Sequence, residues 1–289
     1  MSAPLPPFTD AYWTSPDGLR LHYRDFPGGE GRPPILCLPG LTRNARDFEP
    51  VAEAFAGEWR VICPDLRGRG DSEYAKDPQS YNPRSYIADL EALLAEQNIT
   101  RFVAIGTSLG GLLTMLLAAG GADRIAGAVL NDVGPVVERA GLEHIREYLG
   151  KGGTFPTWMH AARAVQDALG KAYPDYGISD WLVLARRMLF LGGNGRISFD
   201  YDMKIAEPFN QANEGEGPDL WPFFMALDGR PVLCVRGELS DILSAETLVE
   251  MQRRMPAMDA ITLPRIGHAP TLAEPAAREA IARLLAQVS

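Results

Sequence analysis

At roughly 150 residues per domain, a chain of 289 residues holds about two units, or one α/β domain enlarged by an insertion, and either can bury a sizeable core. Hydrophobic residues are 46%, charged residues 22% and aromatics 9%, which excludes a disordered, collagenous or disulfide-scaffold protein. Against 37 acidic residues stand 28 basic ones, a formal charge of −9 and a sequence pI near 5.0, so neither nucleic acid nor an anionic membrane surface is an expected partner.

Residues 1–10 contain three prolines and no basic residue ahead of an apolar core, unlike a secretory leader. The segment Leu19-Arg20-Leu21-His22-Tyr23-Arg24 alternates apolar and polar, which predicts an antiparallel edge strand exposed on one face. Five later runs lack that alternation: Ile35-Leu36-Cys37-Leu38, Val61-Ile62-Cys63, Phe102-Val103-Ala104-Ile105, Ala128-Val129-Leu130 and Val232-Leu233-Cys234-Val235. They read as strands covered on both faces, as in a parallel sheet. Helical spacing lies between them, in Phe48, Val51 and Phe55 and in Ile87, Leu90 and Leu94, with Asn82 as N-cap and Pro83 as first helical residue. The longest apolar stretch, 112–119, falls far short of the roughly 20 residues a spanning helix needs. Residues 135–225 contain helical stretches, 158–169 and 181–191 among them, and Gly- and Pro-rich breaks but no strand-like run. Alternation resumes at Pro231 and ends in a helix opened by Pro275, with Ile281, Leu284, Leu285 and Val288 on one face. The expected fold class is therefore α/β, a doubly wound sheet flanked by helices. Its core comprises residues 1–134 and 226–289, interrupted by a helical cap at 135–225. Cys37, Cys63 and Cys234 each sit in an apolar run without metal-ligand or CxxC spacing, which predicts buried, reduced strand residues in a cytoplasmic protein and no metal site.

Gly106-Thr107-Ser108-Leu109-Gly110 joins a buried strand to an apolar helix. A serine there sits on a very tight turn with its hydroxyl exposed at the carboxyl edge of the sheet, and the flanking glycines let the backbone fold that sharply. A serine nucleophile needs a base and a third group to orient it. Of four histidines, His22 lies in the alternating front strand, and His144 and His160 lie in the insertion without metal spacing. His268, on a turn just past the apolar run Ile261-Thr262-Leu263, is the candidate base. The favoured acid is Asp241, on the loop beyond Val232-Leu233-Cys234-Val235, with Asp132 and Glu238 as competitors. An oxyanion would be held by the backbone N–H of Leu109 and by that of Leu41, where Gly40 permits an unusual turn.

These motifs resemble the α/β-hydrolase fold superfamily over residues 19–288. Leu38-Pro39-Gly40, Asp65-Leu66-Arg67-Gly68-Arg69-Gly70-Asp71-Ser72, Gly106-Thr107-Ser108-Leu109-Gly110 and Gly267-His268-Ala269-Pro270 carry the likeness. The resemblance implies a mostly parallel, eight-stranded-type sheet, a Ser108–His268–Asp241 triad, Leu41 and Leu109 as oxyanion donors, a cap shaping the acyl pocket, and no metal or organic cofactor. The usual His-Gly before the oxyanion donor is Pro39-Gly40 here, and Ser108 stands where similar epoxide hydrolases and haloalkane dehalogenases carry aspartate, which disfavours both activities. Asp65 is expected to tie a loop together through hydrogen bonds or with Arg67.

The activity expected from this combination is hydrolysis of a small to medium carboxylic ester or lactone by a monomer or homodimer. Carbon–carbon bond hydrolysis, amide or aminopeptidase chemistry and perhydrolysis share the same triad, and a ligand receptor on this fold is the non-enzymatic alternative. Trp158, Trp181 and Trp221 are candidate pocket residues, and Asp175, Asp180, Glu207 or Glu214 would hold an amino terminus. Arg43 reads first as a solvated loop arginine ahead of the helix at 46–55, with pairing to a substrate carboxylate as the alternative.

Overall fold

A computed structural model describes residues 5–211 and 218–288, so the first four residues of the segment read for a leader, and Glu214, lie outside the described residues. The chain opens with an antiparallel pair, β1 (Thr9–Thr14) and β2 (Arg20–Phe26), and then alternates through β3 (Ile35–Leu38), α1 (Glu49–Phe55), β4 (Val61–Pro64), α2 (Pro83–Glu96), β5 (Phe102–Thr107), α3 (Leu109–Gly121) and β6 (Ile125–Asn131). An inserted segment follows, with α4 (Arg139–Tyr148), β7 (Thr154–Phe155), α5 (Trp158–Leu169), α6 (Ile178–Met188), β8 (Leu189–Leu191), β9 (Ile197–Phe199), α7 (Ala206–Gln211) and α8 (Trp221–Met225). The alternation resumes with β10 (Val232–Gly237), α9 (Ala245–Arg254), β11 (Asp259–Leu263) and α10 (Pro275–Leu285).

These segments build one eight-stranded sheet in the order β1-β2-β4-β3-β5-β6-β10-β11. Only the β1/β2 and β2/β4 pairs are antiparallel, and every neighbour from β4 to β11 is parallel. The expected runs of Ile, Leu, Val and Cys occupy β3, β4, β5, β6 and β10, which are buried, Thr107 at the end of β5 excepted, because helices cover both faces. Leu90, Leu93 and Leu113 of α2 and α3 pack on one face with Leu248 and Met251 of α9, and Val51 and Phe55 of α1 pack on the other with Ile281 and Leu284 of α10. The Asn82 side chain accepts from the Ser85 N–H at 3.0 Å and so caps α2, with Pro83 at its first position. All three cysteines are buried and unpaired. Among the described residues no helix is long and apolar enough to cross a membrane.

Two expectations are corrected. The alternating front segment is not an edge strand, because β2 pairs with β1 on one side and β4 on the other, which buries His22. The edge is β1, whose polar sequence TDAYWT is mostly exposed and leaves no apolar signal. The inserted segment is not wholly helical either. Its strands β7, β9 and β8 form a small antiparallel sheet, and the run 181–191 splits into the end of α6 and β8. Strands of two or three residues are too short to imprint a period on the sequence.

The segment from Asp65 to Ser72 staples the site-bearing loops. Asp65 accepts from Ala45 N–H at 2.6 Å, from Asp71 N–H at 3.0 Å and from His22 Nδ1 at 2.7 Å. Arg67 does not pair with Asp65. Its guanidinium instead grips Asp89 on α2 and Asp17 in the β1–β2 turn with four hydrogen bonds of 2.6–2.9 Å.

Candidate active site

The turn from β5 to α3 places Ser108 at φ 53° and ψ −115°, a conformation an L-residue adopts only when its surroundings impose it. The imposition is steric. A Cβ on Gly110 would lie 1.9 Å from the Leu38 carbonyl oxygen, and one on Gly106 would lie 2.3 Å from the Gly110 oxygen, so β3, β5 and α3 meet more closely than side chains allow. The serine hydroxyl is thereby presented at the carboxyl edge of the sheet, at the N-terminus of α3, where free N–H groups and the helix dipole favour negative charge.

Ser108 Oγ lies 2.8 Å from His268 Nε2, and His268 Nδ1 lies 2.7 Å from Asp132 Oδ2. The Asp132 side chain is fully buried, and its carboxylate also accepts from the Gly237 N–H at 2.8 Å and the Ser240 hydroxyl at 2.7 Å. The acid beside His268 is therefore Asp132 and not the favoured Asp241, whose carboxylate faces His144 Nδ1 at 3.0 Å instead. Glu238 accepts from the Arg265 N–H at 2.7 Å and faces away from the histidine. Asp132 stands one residue past β6, and its φ of 56° bends the chain so that its amide donates to Val235 O of β10 at 2.7 Å. Ser240, which had no motif to mark it, supplies the hydroxyl on the loop where Asp241 had been expected to act.

The Gly40 carbonyl accepts from the Arg43 N–H at 3.1 Å. Because N–H and C=O of a trans peptide point oppositely, the Leu41 N–H is turned away from Arg43. The Leu41 carbonyl is held in turn by Nε of the buried Arg69 at 2.9 Å. Among the described residues neither the Leu41 nor the Leu109 N–H donates to a protein acceptor, so both are available to a ligand oxygen.

Ser108 and His268 open into a cavity of about 420 Å³ between the sheet edge and the inserted segment. Its aromatic lining comes from Phe48, Tyr148, Phe155, Tyr173, Phe199 and Tyr201. None of Trp158, Trp181 and Trp221 lines it. Trp181 is buried among Tyr173 and Tyr176, Trp158 lies under Arg186, and Trp221 lies under Arg254 at 3.8 Å. Trp158 and Trp181 serve the insertion's own core, and Trp221 packs against the core of the main sheet. Burial pushes the Tyr148 phenol up to about 12 despite the opposing charge of Arg43, and pushes Tyr173 up as well, so both stay neutral donors at ordinary pH. Asp175 and Asp180 do not reach the cavity, being engaged by Arg265 and by the Gly177 N–H. Glu207 is absent from its walls, and the charged groups there are Arg43, Lys151 and Arg187 against Asp47 and Glu147.

Known proteins resemble this chain along most of its length. A family model described as the alpha/beta hydrolase fold matches residues 33–177. The 3-hydroxybutyrate-oligomer hydrolase of Cupriavidus necator is 37% identical over 272 residues, 91% of this chain and 92% of that protein. A 2-(acetamidomethylene)succinate hydrolase of Mesorhizobium japonicum is 25% identical over 236 residues, 82% of this chain and 81% of its own. The crystal structure of an alpha/beta hydrolase from Novosphingobium aromaticivorans superposes with a TM-score of 0.94 at 62% identity, covering 99% of this chain and 100% of that one.

Proposed function

This chain belongs to the α/β hydrolase family and is a hydrolase, and from that premise we propose that it cleaves small to medium carboxylic esters or lactones with Ser108 as nucleophile, His268 as base and Asp132 as orienting acid. The observation that carries the reading is the unbroken relay from Ser108 Oγ through His268 to a buried Asp132, opening into a largely apolar cavity. Asp132 accepts from Nδ1, which leaves Nε2 with its lone pair toward Ser108. Ser108 Oγ attacks the ester carbonyl while His268 takes its proton. The Leu41 and Leu109 N–H groups bind the oxyanion, and His268 returns the proton to the departing alkoxide as the C–O bond breaks. Water, deprotonated by the same histidine, then attacks the acyl-enzyme and frees the acid and Ser108.

Residues 135–225 act in this reading as the cap over the acyl pocket, and the three buried, unpaired cysteines support a reducing, cytoplasmic setting. Since the Cupriavidus necator relative is named for an oligomer of 3-hydroxybutyrate, short oligoesters of hydroxy acids head the substrate panel beside simple acyl esters, lactones and matched amides. Intact-mass and peptide mapping after exposure to a fluorophosphonate should find one adduct on Ser108 and none in Ser108→Ala. Folded protein that takes no adduct would overturn the nucleophile assignment and favour a receptor on this fold.

A further inference from the structure

Arg43 is not the solvated loop residue that its place in the sequence suggests. Its side chain is 17% exposed, lines the cavity and starts beside the nucleophile, since its Cγ and the Ser108 Cβ lie 3.5 and 3.8 Å from the point where a Gly40 Cβ would sit. One guanidinium nitrogen, Nη2, donates to Asp47 Oδ1 at 2.6 Å. Nε is fully buried without a hydrogen bond among the described residues, and Nη1 makes none either. The buried Nε is closed to a ligand and leaves the guanidinium under-satisfied, so the end that a bound group can reach is Nη1. Arg187, on the same cavity wall, is a second guanidinium whose buried Nε lacks a hydrogen bond, with Glu49 3.5 Å away. Asp47 occupies one corner of the Arg43 fork, which fixes its orientation and leaves Nη1, which is neither buried nor hydrogen-bonded among the described residues, for a second acceptor.

We propose that Arg43 is a specificity-determining residue that binds a free carboxylate on the substrate, so that the enzyme prefers esters whose alcohol part carries a carboxylate a few bonds from the scissile carbonyl. The placement fits a short oligoester of hydroxy acids cleaved near its carboxyl end, where the carboxylate belongs to the departing alcohol. The three cations and two anions of the cavity wall give it the sign that such a substrate requires. This inference rests on the ester-hydrolase reading, and the following experiment separates the two.

The probes are 3-(butanoyloxy)butanoate and its primary amide, 3-(butanoyloxy)butanamide, which differ in charge and not in the ester to be cleaved. The wild-type enzyme should favour the carboxylate by about tenfold or more in kcat/KM, mostly through KM, the scale of one charge-assisted pair. Arg43→Gln should collapse that ratio towards one, and Arg43→Lys, which keeps the charge and loses the fork, should fall between. The wild-type ratio needs no variant, and a value near one overturns the proposal. A ratio that survives Arg43→Gln in folded protein overturns it too. If neither probe is cleaved while Ser108 still takes the fluorophosphonate, the carboxylate proposal falls and the serine-hydrolase reading stands. If Ser108 takes no label, both fall.

Discussion

Three donors converge on the buried carboxylate of Asp132: the Gly237 N–H, the Ser240 hydroxyl and the His268 ring. Such an acceptor-only group fixes which histidine nitrogen carries the proton, and an amide in its place would offer N–H groups to donors. Asp132→Asn should therefore lower kcat by about 10³-fold or more with little change in KM, the size expected from losing the productive tautomer. Asp241→Asn should stay within about threefold of wild type, because among the described residues its carboxylate meets the half-exposed His144, a pair of the kind worth about 1 kcal/mol or less. Steady-state kinetics on one ester decides the matter, and the opposite ranking would return the acid to Asp241. The meeting of Ser108 and His268 was legible in the sequence because a tight strand-to-helix turn and a loop after a late strand are local features. The choice between Asp132 and Asp241 was not, because it depends on β6 and β10 being neighbours in the sheet, a pairing across about 100 residues. Arg43 was likewise visible as a residue and illegible as a wall of the cavity, since the segments that bury it arrive from the insertion.

The elbow turns on how closely three elements approach, and glycines record that approach at one position and not at another of the same helix. A side chain on Gly110 would strike the Leu38 backbone at 1.9 Å, and no rotamer relieves a contact with main chain. At Gly120, near the end of α3, an added Cβ meets nothing within 4 Å. Gly110→Ala should destabilise the protein by about 3 kcal/mol or more, or abolish folding, since β3 must move away from α3. Gly120→Ala should stabilise it by about 0.5–1 kcal/mol through the helix preference of alanine and the smaller entropy of the unfolded chain. Urea titrations of the two variants test this, and a Gly110→Ala protein of wild-type stability would mean that the turn is looser than described. At this scale the parallel strands and their helices were legible from apolar runs and helical spacing. The β7, β8 and β9 ribbon was not, because its strands of two or three residues are specified by contact with the rest of the insertion.

Across the whole molecule, the insertion and the sheet meet at the loops around Ser108 and His268. The Gly267 N–H donates to Ala172 O at 2.7 Å and the Tyr173 hydroxyl to Ala269 O at 2.6 Å, so the insertion grips the His268 loop on both sides. Arg46 reaches Asp200 Oδ2 at 2.5 Å, the Asp202 N–H donates to Gly68 O at 2.7 Å and the Gly70 N–H donates to Asp200 O at 3.1 Å, which ties the insertion to the turn ahead of α1 and to the Asp65–Ser72 segment. On the far side the same segment is anchored through His22, whose ring bridges Asp65 at 2.7 Å and Asp10 at 3.0 Å. Burial works against a charge on His22, but hydrogen bonds and attraction from Asp65, with further help from Asp10 and Asp71, more than offset it and raise its pKa above the ordinary 6.5. The sign of the linkage follows. The folded state holds the His22 proton more tightly than the unfolded chain does, so this contribution is present in full below about pH 6.5 and fades as pH rises through the higher folded-state value. The urea midpoint of wild type should accordingly fall across that window, and in His22→Gln, which keeps polar contacts but cannot titrate, the fall should be smaller. A midpoint that rises over the same range in wild type relative to His22→Gln would mean that His22 is held neutral, with desolvation outweighing its two carboxylates.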